Sequence, residues 1–381
     1  MLIEDEETKD RRASESANDA PLAERLREKI RRAGFITFRD WMDMALYDER
    51  EGYYQCADLA RWGRAGDYRT SPERSPLFAA TFARHFATLF ETLGSPAPFT
   101  IVEAGAGAGH FAQGVLESLQ RSHPKIFATT KYLIDEASDD ARVRAAESLK
   151  TFSDRVEFRR LCDIETPLDA AVIFSNELLD AFPVHRVLMR GGKLYELCVG
   201  LDEAGAFRWT EREPTTPRLE LHFKNLNISL DEEQIAEVNL AAEDWLDSIV
   251  PKFKRGYIIL VDYGAEAEEL YHAPHRREGT LRAFSRHKIA GDPLAHPGQQ
   301  DLTTTVDWTQ IKRAGQRLGL ETLRFERQDQ FLLSSGLLEE LESLTAQAQS
   351  DAEAMLIRTS AREMILPNGM AASFQVLVLE K

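Results

Sequence analysis

Between Phe99 and His110 the chain reads FTIVEAGAGAGH, an apolar run that ends in a glutamate and is followed by glycines at alternate positions. Phe99, Ile101 and Val102 form a short apolar segment of the kind buried in a sheet, whereas Phe111, Val115, Leu116 and Leu119 recur at helical spacing. The glycines therefore occupy a strand-to-helix turn. Without Cβ atoms at Gly105, Gly107 and Gly109 the backbone can take positive φ and let a ligand approach, and the helix N-terminus beyond favours negative charge. A nucleotide-like cofactor is the expected guest.

Spacing selects among such cofactors. A dinucleotide turn, G-x-G-x-x-G, would put its third glycine at position 110 once Gly105 and Gly107 are set, and His110 stands there. That disfavours a nicotinamide-dependent dehydrogenase. The pattern E-x-G-x-G-x-G, running from Glu103 to Gly109, resembles motif I of class I S-adenosyl-L-methionine (SAM) methyltransferases.

With 381 residues, 43% hydrophobic and 29% charged, the chain can bury a large core as two domains or as one domain with insertions. A net charge of −16 argues against nucleic acid as a partner, because phosphate binding needs a concentrated basic surface. Cys56, Cys162 and Cys198 lie far apart, with no C-x-x-C pair and no histidine at ligand spacing, which predicts a reducing compartment and no metal site. No apolar run approaches the ~18 residues of a membrane span. The first twenty residues are too acidic for a targeting signal, so the expected location is the cytoplasm, without membrane insertion.

Read in order, the chain divides into a disordered tail (1–20), a helical region (21–98), the first half of an α/β core (99–183), an inserted hairpin and helical cap (184–250) and the second core half (251–381). Leu22, Leu26 and Ile30 mark one helix, and Thr37 with Asp40 resembles a capping box for the next. Ser71-Pro72-Glu73 reads as a helix start, with Thr70 and Ser71 as capping hydroxyls, before a core stripe of Phe78, Phe82, Phe86 and Phe90. A second strand, Lys131 to Asp135, ends in acids where such sheets grip ribose hydroxyls, so Asp135 or Glu136 could serve.

Val156 to Arg159 is a third strand, closed by Cys162-Asp163, and Ala170 to Phe174 a fourth. The fourth brings Asn176, Glu177 and Asp180 to the carboxyl edge of a parallel sheet, where polar groups need partners. Residues from Gln234 to Ile249 are expected as one helix, and Gly256-YIILVDYG as the returning strand. The long stretch 274–307, with Arg282, Phe284 and His287, reads as a functional loop. Seven strands are expected in the main sheet.

GYY, GDYRTSPE, EAGAGAG, SNELLDAFPVHR, LVDYG, TLRAF with a following His-Lys, and DLTTTVDW resemble the motifs of the MidA family in order and spacing, over roughly residues 25 to 380. Mitochondrial members of that family are protein-arginine methyltransferases for complex I assembly. The resemblance implies an α/β fold: a Rossmann-like seven-stranded class I SAM methyltransferase sheet with its last strand antiparallel, an N-terminal helical part and an inserted cap. It implies SAM as cofactor and a protein substrate such as a respiratory-complex subunit. By similarity, Gly105, Gly107 and Gly109 pass under the SAM amino-acid moiety, with Glu103 and Asn176 on the cofactor side. Glu136 takes the ribose, Asp163 lies near adenine, and Thr70, Ser71 and Pro72 fold over the cofactor. Arg69 and Phe78-Ala79-Ala80 depart from the family pattern, which has an apolar or aromatic residue and Phe-Gly-Glu there.

Methyl transfer is an in-line displacement that needs the nucleophile about 3 Å from the methyl carbon, so positioning supplies most of the acceleration. Arginine arrives as a cation of pKa above about 12 and must be held by carboxylates that favour loss of its proton. Glu177 and Asp180 are the candidates for that clamp, and His287 for a general base or orienter, with a structural role as its alternative. The competing function is an assembly factor that keeps the fold with methyl transfer silent, a reading suggested by the alanine at position 80.

Overall fold

The computed structural model describes residues 21–55, 75–285, 288–289, 291–366 and 373–381. Strands β1 (Phe99–Ala104), β2 (Thr130–Asp135), β3 (Val156–Phe158), β4 (Ala171–Asn176), β5 (Gly256–Ala265), β6 (Glu321–Arg327) and β7 (Phe374–Glu380) lie in the spatial order β6-β7-β5-β4-β1-β2-β3. The first five are parallel, and β7 runs antiparallel to both of its neighbours. Val306–Asp307 adds a two-residue eighth strand, parallel to the end of β5.

The apolar residues of β1, β4 and β5 are buried throughout, as strands covered on both faces require. The chain leaves β1 toward one side of the sheet and β4 toward the other. This reversal opens a crevice at their carboxyl ends.

On one face the helix Pro76–Thr92 packs against the helix His110–Ser122. A Cβ on Gly114 would sit 2.6 Å from Ala79 Cβ, so small residues let these helices touch. Phe78, Phe82 and Phe86 surround Phe111, which stacks on Phe174 at 4.1 Å between centroids. The phenylalanine stripe is core, as expected. Its helix begins after Ser75, whose hydroxyl accepts from the Leu77 amide at 3.2 Å. The start expected at Ser71 lies outside the described residues.

The cap is an antiparallel sheet of His185–Arg190, Lys193–Leu201, Phe207–Arg212 and Ile235–Val238, joined by Ile36–Thr37, which pairs with Val199 and Cys198. The first two helices, Pro21–Ala33 and Phe38–Tyr47, therefore share a core with the cap, in which Leu22, Leu26, Phe38 and Trp41 meet Val184 and Val199. Thr37 caps the second helix by accepting from the Asp40 amide at 3.0 Å. The single helix expected over 234–249 is instead a strand and then a helix, Leu240–Ile249. Pairing with His185–Leu188 satisfies the first part, and Asn239 restarts the helix by accepting from the Ala242 amide at 3.0 Å. The helix Arg218–Leu226 was not anticipated.

The stretch 274–307 carries a small sheet of Arg282–Ser285, Lys288–Ile289 and Asp301–Thr303. The tail 1–20 falls outside the described residues, among which no helix is long and apolar enough to cross a membrane.

Phe82 touches Phe78, Phe86, Phe111, Phe174 and Phe331 and is fully buried. Phe82→Ala is expected to lower the free energy of unfolding by about 3–5 kcal/mol, read from denaturant melts.

Candidate active site

The turn after β1 is the floor of the crevice. Gly105, Gly107 and Gly109 have φ of 73°, 52° and 80°, left-handed values that other residues adopt only under strain. Its flanks are as tight as its torsions: a Cβ on Gly105 would lie 3.0 Å from Leu178 Cδ1, and one on Gly109 would lie 3.0 Å from Ala145 Cβ. The amide of Gly105 donates to the Asp135 carbonyl at 2.9 Å, which moors the turn to the end of β2.

The two acids at that strand end do different work. Asp135 accepts from Arg160 Nε at 2.7 Å and from the Leu161 amide at 3.1 Å, so both oxygens are spent on the next loop. Glu136 turns inward and accepts from the Gly107 amide and the Ser138 amide, each at 2.8 Å. Burial raises its pKa, and these amides partly oppose the rise. Glu103, at 4% exposure, accepts from Tyr132 Oη at 2.8 Å, and burial pushes its pKa up to about 8.

Opposite the glycines, the turn after β4 holds the other acids. Glu177 has φ of 53°, a strained value for a residue with a side chain, while Asn176 Nδ2 donates to Glu177 Oε1 at 2.9 Å. What shapes this turn is Asp262 at the end of β5, buried to 1% exposure. Its Oδ2 accepts from the amides of Leu178, Leu179 and Asp180 at 3.2, 3.0 and 3.3 Å. Its neighbour Tyr263 donates its hydroxyl to Asp180 Oδ2 at 2.5 Å. Asp180 is 5% exposed and burial raises its pKa to about 6, and among the described residues neither its Oδ1 nor Asn176 Oδ1 has a hydrogen-bond partner.

The N-terminal region roofs the site. Tyr54 donates to Asp301 Oδ1 at 2.9 Å and stacks on Tyr47, which donates to the Ala181 carbonyl at 2.9 Å. Ser138 Oγ donates to the Tyr54 carbonyl at 2.6 Å, tying this roof to the loop that bears Glu136. Together these elements enclose a cleft of about 1340 Å³.

The cleft gathers Glu103, Gly105, Gly107, Glu136, Asn176, Glu177 and Asp180 from the residues expected at the site, and Gly109 shapes the same turn from its far side. Asp163 departs from expectation. It is exposed and off the cleft wall, because the turn Leu161–Asp163 buries Leu161 and leaves Arg160 to line the cleft. Thr70, Ser71, Pro72 and His287 lie outside the described residues. Ala80 is buried at 1% exposure in the helical core and not on the cleft, so the lost carboxylate removes nothing from this wall. Sequence reading overlooked Asp262, Tyr263, Tyr47, Tyr54 and Asp301. The polar end of the apolar LVDYG strand was the available signal for the first two.

Residues 81–326 match the family model described as S-adenosyl-L-methionine-dependent methyltransferase. The chain belongs to this family. A Burkholderia thailandensis protein solved with bound S-adenosyl-homocysteine superposes with a TM-score of 0.84 at 29% identity, covering 100% of this chain and 95% of that one. The methyltransferase is also 28% identical to the mitochondrial protein arginine methyltransferase NDUFAF7 homolog of Drosophila melanogaster, over 78% of its own length and 70% of the relative's. Against the human protein of that name the identity is 24%, over 78% and 69%.

The class I sheet and SAM as cofactor thus stand, and the silent assembly factor is not favoured. The cytoplasmic expectation is corrected, because these relatives are named as mitochondrial. Composition and cysteine spacing do not specify a compartment.

Glu103 generates a pH prediction. A carboxyl that stays protonated in the fold up to about 8 but ionises at ordinary pH when unfolded makes stability fall as pH rises between those limits. Glu103→Gln keeps an acceptor for Tyr132 without the titration. Its melting temperature relative to the parent protein should therefore be more favourable at pH 8 than at pH 5.

Proposed function

We propose that this methyltransferase transfers the SAM methyl group to an arginine side chain of a protein substrate. What carries the reading is the charge of the cleft. Its described lining contributes the acids Asp43, Glu49, Asp135, Glu136, Glu177, Asp180, Asp244 and Asp301 against the guanidiniums of Arg39, Arg160 and Arg282, with Glu103 protonated up to about 8 and adding no charge, a surface suited to a cationic acceptor. The names of the curated relatives support the same substrate.

The residues present fit the cofactor. The three left-handed glycines leave room for it beside the backbone, and Glu136 is the acid that would accept from the ribose hydroxyls, since it is held against the glycine turn by the Gly107 amide whereas Asp135 is held by Arg160 and the Leu161 amide of the next loop. Glu103 and Asn176 border the glycine turn and would face the amino-acid end. By family resemblance, Thr70, Ser71 and Pro72 would cover it. SAM supplies an electrophilic methyl on a sulfonium.

The chain supplies position. Glu177 and Asp180 would hold the guanidinium with one nitrogen in line, and one of these carboxylates would accept the proton that nitrogen loses and be neutralised by it, while Tyr47 and Tyr54 cover the roofed side. His287 would act as base or orienter.

Calorimetry with S-adenosylhomocysteine is expected to show binding, and Gly107→Val to abolish it, since a β-branched residue is strained at φ of 52°. No binding by the parent protein would remove the enzyme reading. With labelled SAM and basic peptides, Glu177→Gln should keep cofactor binding and lose about 10²-fold in transfer. Label on lysine instead of arginine would overturn the acceptor.

A further inference from the structure

Asp180 is the most enclosed acid of the candidate clamp, yet only half of its carboxylate is committed. Oδ2 receives the Tyr263 hydroxyl at 2.5 Å, whereas Oδ1 is buried with no hydrogen-bond partner among the described residues, in a side chain that lines the cleft. Its backbone is held from several sides. The Asp180 amide donates to Asp262 Oδ2 at 3.3 Å, and its carbonyl accepts from the Thr304 amide at 2.9 Å. The residue therefore has little freedom to turn its carboxylate about. Tyr263 is itself packed, edge-on to Phe374 at 5.6 Å, with the Arg282 guanidinium 5.3 Å from its ring centroid.

We infer that Tyr263 is a positioning residue for methyl transfer: by engaging Oδ2 it aims Oδ1 of Asp180 at the substrate cation and keeps that carboxylate ionised. This rests on the proposed function, because it assigns the clamp a support. A phenol donating to a carboxylate stabilises the anion and costs nothing in net charge. It opposes the burial that raises Asp180.

The groups that set this balance come from several elements. Asp262 and Tyr263 face Asp180 from β5, Glu177 from the same turn, Arg282 from the strand Arg282–Ser285, and Tyr47 from the helix Phe38–Tyr47, with Asp301 beside Tyr47. Asp262 disfavours a further negative charge at Asp180 and Arg282 favours it, while Glu177 acts on Asp262. The backbone amides of Ala181 and Asp180 also favour the anion, and the Tyr263 hydroxyl is the neutral side-chain contributor, whose removal leaves every charge in place. Tyr263→Phe keeps the ring that Phe374 and Arg282 contact and deletes only that donor.

The probe is L-argininamide, a guanidinium without a free carboxylate, titrated calorimetrically into the full chain saturated with S-adenosylhomocysteine from pH 5 to pH 8. In the parent protein its affinity should rise with pH through a midpoint near 6, as Asp180 ionises. In Tyr263→Phe the midpoint should move up by about one pH unit, the scale of a lost charge-assisted hydrogen bond, while S-adenosylhomocysteine affinity stays within twofold.

Asp180→Asn should abolish the midpoint, which assigns it to this carboxylate, and if Tyr263→Phe does not fold, 3-fluorotyrosine at position 263, a stronger donor to Oδ2, should lower the midpoint of the parent protein, an unmoved one overturning the assignment. A midpoint unmoved in Tyr263→Phe, or one that persists in Asp180→Asn, or pH-independent binding by the parent protein, overturns the assignment while retained S-adenosylhomocysteine binding leaves the methyltransferase reading intact. Failure of the parent protein to bind S-adenosylhomocysteine would instead remove the proposed function, and this inference with it.

Discussion

A backbone turn that runs in contact with a leucine on one side and an alanine on the other, through three left-handed residues, is the constraint from which the rest of the molecule follows. Gly105 meets Leu178 from the turn after β4, and Gly109 meets Ala145 from the helix Asp139–Ser148. Side chains at these positions would both strain the torsions and push the neighbours away. Because Leu178 belongs to the segment Asn176–Asp180, the glycine turn also sets how near the candidate clamp comes to the candidate cofactor cradle. Binding and chemistry are thus placed by the same contacts.

The second organising element is a buried carboxylate that holds backbone. Asp262 takes three successive amides of the turn after β4, and its own position is dictated by β5, which pairs with β4 from Gly256↔Ala171 to Val261↔Asn176. A turn with orphan amides in the interior would be costly. Here the adjacent strand satisfies them, and the strained φ of Glu177 persists because its surroundings leave it little choice. The roof is supported in the same manner, by Tyr47 on the Ala181 carbonyl and Ser138 on the Tyr54 carbonyl. Backbone groups around the cleft are thus tied down by side chains from distant parts of the chain.

The acidity of the cleft acquires meaning from this rigidity. Surface carboxylates in water do little for specificity, since screening and mobility blunt them. Glu103, Asp180 and Asp262 are almost wholly removed from solvent, and burial raises the pKa of each. Asp163, by contrast, is exposed and off the cleft wall. Burial separates the acids that can take part in chemistry from those that merely add to a net charge of −16.

Local signals in the sequence determined the strand-turn-helix around Gly105, the caps at Thr37 and the core stripe of Phe78, Phe82 and Phe86, because torsional preference and periodicity act over a few residues. They also placed Asn176, Glu177, Asp180 and one of Asp135 or Glu136 at the carboxyl edge of the sheet, since a buried strand leaves its polar end exposed to choice of partner. Tertiary structure alone decided that Ile36 would extend the cap sheet against Val199, that Ile235–Val238 would be a strand, that Asp135 would face Arg160, and that Asp262 and Tyr263 would support the turn at 178–180. Each of these joins residues well apart in the chain. Pairing and desolvation across such distances depend on which surfaces meet after the sheet assembles, and no local preference records that.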